Sequence, residues 1–146
     1  MITGKSNKRY SVKENEYHEI LSICQSILTD HVDVIFAYIH GSFLGIHNFG
    51  DVDLAVYLQG VKKEEYLELE EHLKNKIKKR IAYPIDVKVL NDSPPSFRYS
   101  VIKNGIRLVD KDENKRVNFE TMTFTQYFDF LPFRRRYLKE ALEGEI

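Results

Sequence analysis

Three aspartates could do chemistry in this sequence. Asp51 and Asp53 stand two residues apart at the start of an apolar, β-branched run, Val52–Leu58, and Asp86 interrupts a second such run, PIDVKVL. Side chains at i and i+2 of a strand point to the same face. Asp51 and Asp53 therefore converge on one spot while Val52 turns the other way. Two carboxylates that close repel each other, and a cation between them removes the penalty. Hard oxygen ligands favour magnesium or manganese over zinc. If the strand of Asp86 lies beside that of Asp53, all three acids can share one cluster. Two metal ions held by three carboxylates suit in-line displacement at phosphorus.

A fourth element precedes them. Gly41-Ser42 follows directly on a strand predicted over Val32–Ile39, inside HGSFLGIHNFGD, which reads as a loop or a very short helix. Glycine lets backbone approach a phosphate closely, and Ser42 suits the cap of a short helix whose N–H groups face an anion. Each piece alone has a plainer reading. An isolated Asp-x-Asp or Gly-Ser is ordinarily a turn, and Asp86 could be an edge-strand charge that discourages aggregation. Their combination, in this order and on these elements, points to a triphosphate-and-metal site.

The remaining polar candidates read as structural. Lys88 shares the Asp86 face and either contacts a phosphate or pairs with Asp86. His40 and His47 flank the Gly-Ser loop and read as turn residues. Arg134, Arg135 and Arg136 read as a solvated stretch late in a helix. Cys24 lies at an apolar helical position and reads as a small buried hydrophobe.

Helical spacing of Tyr17, Ile20, Leu21, Cys24, Ile27 and Leu28 predicts a helix over 13–29, and Tyr66, Leu69, Leu73 and Ile77 predict another over 62–80. Pro95 and Gly105 bracket a third helix. A strand over 85–90 and a short one over 106–109 complete the sheet. A long helical region runs over 113–146, with Pro132 expected to kink or break it. Residues 1–12 are polar and expected to be flexible. The class is α+β: one domain over 1–146, with a small mixed sheet flanked by helices.

The composition narrows the partners. Hydrophobic residues make up 42% and charged residues 30% of 146, which fits a compact domain and neither disorder nor a membrane protein. Lysine plus arginine balance aspartate plus glutamate, 22 against 22, so no direct nucleic-acid binding is expected. A single cysteine excludes an intrachain disulfide. No apolar signal segment or bilayer span is visible, and the cytoplasm is the expected compartment.

At these residues the chain resembles the minimal nucleotidyltransferase (MNT) family of the polymerase-β-like superfamily. GSFLGIHNFGDVDLAVYL and PIDVKVLND carry the likeness, and PPSFRYSVIKNGIRLVDKDENKRVNFE and YFDFLPFRRRYL resemble the downstream part of family members. The resemblance implies a polymerase-β-like nucleotidyltransferase fold, ATP as substrate and two Mg2+ ions. Gly41 and Ser42 match the phosphate-binding pair, Asp51 and Asp53 the metal-binding pair, and Asp86 the third carboxylate. Many members are antitoxins that transfer AMP onto a tyrosine of a HEPN ribonuclease toxin, which implies such a toxin as partner. Eight residues separate Ser42 from Asp51, fewer than in the common family form, and the Arg-Gly that often follows Gly-Ser is replaced by Phe43-Leu44-Gly45-Ile46. Two other functions compete: an MNT-fold antitoxin that neutralises its toxin by binding alone, and a transferase acting on a small molecule such as an aminoglycoside. The complete aspartate trio favours catalysis over binding alone. The small size disfavours the small-molecule enzyme.

Overall fold

The computed structural model describes residues 8–143. Helix α1 (Glu14–Asp30) leads into strand β1 (Val34–His40) and a 3-10 turn, Ser42–Gly45. Strand β2 (Val52–Leu58) follows. A second 3-10 turn, Lys63–Glu65, then opens helix α2 (Tyr66–Lys78). Strand β3 (Ile85–Val89), helix α3 (Pro95–Asn104), strand β4 (Ile106–Asp110) and helix α4 (Glu113–Glu143) complete the chain. The strands lie in the order β3-β2-β1-β4. β1 is antiparallel to β2 and β4, whereas β2 and β3 are parallel and joined by a crossover through α2.

Strand alternation explains why both sheet faces are covered. Val52, Leu54, Val56 and Leu58 join Val87, Val89, Ile39 and the inner residues of α1 and α2 in the larger core. On the other face, Phe36, Tyr38 and Ala55 pack with Leu90, Val101 of α3 and Phe119 of α4. Burial on both sides is why β1 and β2 read as nearly continuous apolar runs. Tyr99 of α3 stacks on Tyr127 of α4 at 4.0 Å. The Tyr38 hydroxyl donates to Glu120 Oε2 at 2.5 Å, and Arg116 joins Glu120 to Asp110. Side chains also occupy the sheet edges: Val89 N–H donates to Glu70 Oε2, and Gln25 Nε2 donates to Leu108 O. Such caps discourage edge-to-edge pairing with other chains.

Two expectations change. Of the kink or break expected at Pro132, the break does not occur: α4 runs uninterrupted from Glu113 to Glu143. A proline removes one i→i−4 bond, and here the turns on either side carry the helix through it. The N-terminal stretch expected to be flexible is fastened at Tyr10–Val12. Tyr10 forms a β-bridge with Phe49, and Val12 is buried. The sequence 1–12 is polar on average, but Tyr10 and Val12 supply two apolar anchors. Residues 1–7 and 144–146 lie outside the described residues.

Cys24 is fully buried on α1, and burial pushes its thiol pKa up to about 12. The reactive thiolate is therefore suppressed in the folded state. Cys24 should resist a thiol reagent at mildly alkaline pH and react promptly in denaturant. Fast labelling of the native protein would show that α1 is not packed on the sheet.

Candidate active site

β1 ends and β2 begins at the same edge of the sheet. The β1–β2 register pairs His40 with Asp53, and the β2–β3 register pairs Asp53 with Asp86. His40, Asp53 and Asp86 thus stand side by side on three adjacent strands and share one face. Asp51, two residues before Asp53, lies just ahead of β2 on the same side. All four are half-buried.

The chain between His40 and Asp53 is held by backbone geometry. Gly41 has φ 84° and ψ −164°, a conformation that L side chains rarely adopt. A Cβ there would lie 2.3 Å from Asp53 Oδ2. Glycine is therefore required twice over, for its torsion and for its close approach to the acid. Ser42 is exposed and begins the 3-10 turn, in which Leu44 N–H reaches Gly41 O and Ile46 N–H reaches Phe43 O. Gly50 N–H donates to Ser42 Oγ at 3.4 Å, which draws the returning limb of the loop onto the turn. Phe43 and Phe49 are fully buried beneath it and meet edge-to-face at 4.9 Å.

The five residues singled out from the sequence are thus brought to one sheet end. The three aspartates share a face, but their side chains are not drawn to one point. Among the described residues no group of three or more His, Cys, Asp or Glu is gathered tightly enough to hold a metal ion. The donor set nonetheless suits a hard divalent cation. The parallel register sets Asp53 and Asp86 side by side on neighbouring strands.

His40 is not a turn residue, as the sequence suggested, but the last residue of β1. Its ring meets Phe97 of α3 edge-on at 5.6 Å, and its Nε2 is buried without a hydrogen-bond partner among the described residues. Burial lowers its pKa against the opposing pull of Asp86 and Asp51, which favours the neutral imidazole. Its two-residue spacing from Tyr38, just before Gly-Ser, could have revealed this placement. His47 does sit in the loop, with Nδ1 3.2 Å from Ser11 Oγ. Lys88 forms no ion pair with Asp86. It is exposed and lines an apolar cleft of about 330 Å3 with Val89, Ser93, Pro94 and Phe97. Arg135 and Arg136 are exposed on α4, whereas the Arg134 side chain lies outside the described residues. No helix among the described residues is long and apolar enough to cross a membrane.

A family profile described as "Polymerase beta, Nucleotidyltransferase" matches residues 23–114, a span that contains Gly41, Ser42 and all three aspartates. The chain belongs to this nucleotidyltransferase family. No curated protein sequence matches it. Solved structures share the nucleotidyltransferase fold at low identity. A tri-AMPylated Shewanella oneidensis HEPN toxin in complex with MNT antitoxin aligns with a TM-score of 0.59 at 15% identity, covering 90% of this chain and 99% of the other. A toxin–antitoxin with AMP-PNP aligns with a TM-score of 0.61 at 16% identity, covering 86% and 98%. A further Shewanella oneidensis structure aligns with a TM-score of 0.61 at 14% identity, covering 89% and 99%.

In this nucleotidyltransferase the Gly41–Asp53 contact is open to direct test. Gly41→Ala should lower stability by about 1–3 kcal/mol and displace the Asp53 carboxylate. Gly45→Ala, in the same turn but with open space around it, should be near neutral. Denaturant melts of the two variants check this. Equal stabilities would show that the loop relaxes freely around a Cβ at position 41.

Proposed function

We propose that this chain transfers AMP from ATP to a protein hydroxyl, a tyrosine of a HEPN ribonuclease partner, and acts as that partner's antitoxin. The observation that carries the reading is the shared level of His40, Asp53 and Asp86, with Asp51 beside them and Gly41 against Asp53. The family match and the neighbours that hold an AMPylated HEPN toxin and AMP-PNP support the same donor and partner class.

In this reaction the Gly41–Ser42 turn grips the triphosphate through backbone N–H groups and the Ser42 hydroxyl. Asp51, Asp53 and Asp86 would hold magnesium, which would offset phosphate charge and polarise the phosphoryl group. The acceptor oxygen bonds the α-phosphorus, the bond from that phosphorus to the bridging oxygen breaks, and pyrophosphate leaves. Asp86, on the edge strand, takes the hydroxyl proton. His40 stands beside the acids with its ring edge-on to Phe97.

A second reading, neutralisation by binding alone, draws on the ungathered aspartate side chains. Two measurements separate the readings. Calorimetry with ATP should show binding in magnesium and much less in EDTA, and equal heats in both would sink the metal-dependent site. The double variant Asp51→Asn, Asp53→Asn keeps size but loses the charge that holds a cation. It should fold with unchanged or slightly raised stability, because repelling charges are removed. It should still bind the HEPN partner, and AMP transfer should fall by at least about a hundredfold. Intact mass of the co-expressed partner should show added AMP with the wild type and none with the variant. Full protection by the variant, with no added mass in either case, would establish sequestration instead.

A further inference from the structure

The fastened N-terminal segment lies along the loop that joins Ser42 to Asp51. Tyr10 and Phe49 exchange backbone hydrogen bonds of 2.8 and 2.9 Å, and Val12 N–H reaches Ile46 O at 3.0 Å. The Tyr10 ring packs against Phe49 and Tyr83. This strap fixes the loop from outside at Ile46 and Asn48, the two non-glycine residues with positive φ.

Arg9 is a charged residue of the strap that touches the loop. Its Nε donates to Asn48 Oδ1 at 3.2 Å and its Nη2 to Asn48 O at 2.6 Å. These two bonds fix the guanidinium plane. The remaining nitrogen, Nη1, lies over Gly50, 2.8 Å from where a Cβ would stand. It has no hydrogen bond or ion pair among the described residues. Gly50 donates to Ser42 Oγ on one side and precedes Asp51 on the other. The fold therefore holds an exposed guanidinium edge beside the junction of the Gly-Ser turn and the first aspartate.

The charge balance of the loop gives that edge a purpose. Residues 41–53 carry two aspartates and no lysine or arginine. A triphosphate gripped there brings more negative charge. Guanidinium is suited to phosphate oxygens because its planar donors match them and it is always charged. A guanidinium already fixed by two bonds loses little freedom on binding. The absence of a side chain on Gly50 leaves Nη1 uncovered.

We propose that Arg9 is a phosphate-binding residue supplied by the N-terminal strap, its Nη1 edge meeting the tail phosphates of the triphosphate held at Gly41–Ser42. The proposal rests on the nucleotidyltransferase reading above and adds a residue outside the family-matched span, 23–114. Tail phosphates are favoured over the α-phosphate because Arg9 lies against Gly50, whose N–H meets Ser42 Oγ, whereas Asp53 and Asp86 lie further along the strands.

The test is calorimetry on the full chain with magnesium-ATP and with AMP, for wild type, Arg9→Ala, Arg9→Lys and Asn48→Gly. Arg9→Ala should weaken ATP by about ten- to a hundredfold and leave AMP within about twofold. Arg9→Lys should recover part of the loss, and wild-type ATP binding should fall more steeply with salt than that of Arg9→Ala. Asn48→Gly suits the positive φ and removes only the Oδ1 anchor, so it should cost ATP less than Arg9→Ala does. Wild-type ATP affinity in Arg9→Ala would overturn the proposal and leave the nucleotidyltransferase reading intact. Equal loss of ATP and AMP with an early melt, unrescued by lysine, would make Arg9 a structural clamp only. No magnesium-ATP binding by the wild type would sink both readings.

Discussion

The backbone of Gly41 passes so close to Asp53 that no side chain fits between them, and the rest of the site is arranged around that contact. It requires β1 to end where β2 begins, which the antiparallel register provides by pairing His40 with Asp53. It also places the Ser42 turn directly over the acid. The parallel register of β2 and β3 then sets Asp86 beside Asp53. Displacing one strand by a single residue would turn its acid to the opposite face, among the valines and leucines under α1 and α2.

The two faces of the sheet divide the work. The α1–α2 side is apolar and closed, and it anchors the strands in register. The α3–α4 side is apolar only below the site, where Phe36, Tyr38, Ala55 and Phe119 pack together. His40 and Phe97 form the boundary between that packing and the acids. Desolvation at this boundary favours the neutral imidazole, against the pull of Asp86 and Asp51 toward the charged form.

Basic residues near the acidic loop come from outside it. Lys88 stands two residues beyond Asp86 on the same strand and face, beside an apolar cleft. Arg9 arrives on a strap distant in sequence from the loop it clamps. The loop is short, and two of its residues hold left-handed torsions. Its shape thus depends on Arg9, Tyr10 and Val12 as well as on its own glycines.

Much of this was written locally in the chain. An apolar, β-branched run marked β2 over Val52–Leu58, and helical spacing marked α1 and α2 to within a few residues. The same local rule put Asp51 and Asp53 on one face, because side-chain direction in a strand depends only on the parity of the position. Gly41-Ser42 was legible as a turn through glycine's freedom alone. Tertiary structure decided what depended on pairing between distant segments. The adjacency of Asp53 and Asp86 is a matter of strand register, which no local pattern specifies. His40 looked like a turn residue until β1 extended one residue further along its ladder with β2. Pro132 looked like a break because the lost bond is local, whereas the helix that continues through it depends on its neighbouring turns. Arg9 was invisible because its partner, Asn48, lies 39 residues away. Contacts that bridge such separations are chosen by the packing of the whole sheet, not by the residues on either side of them.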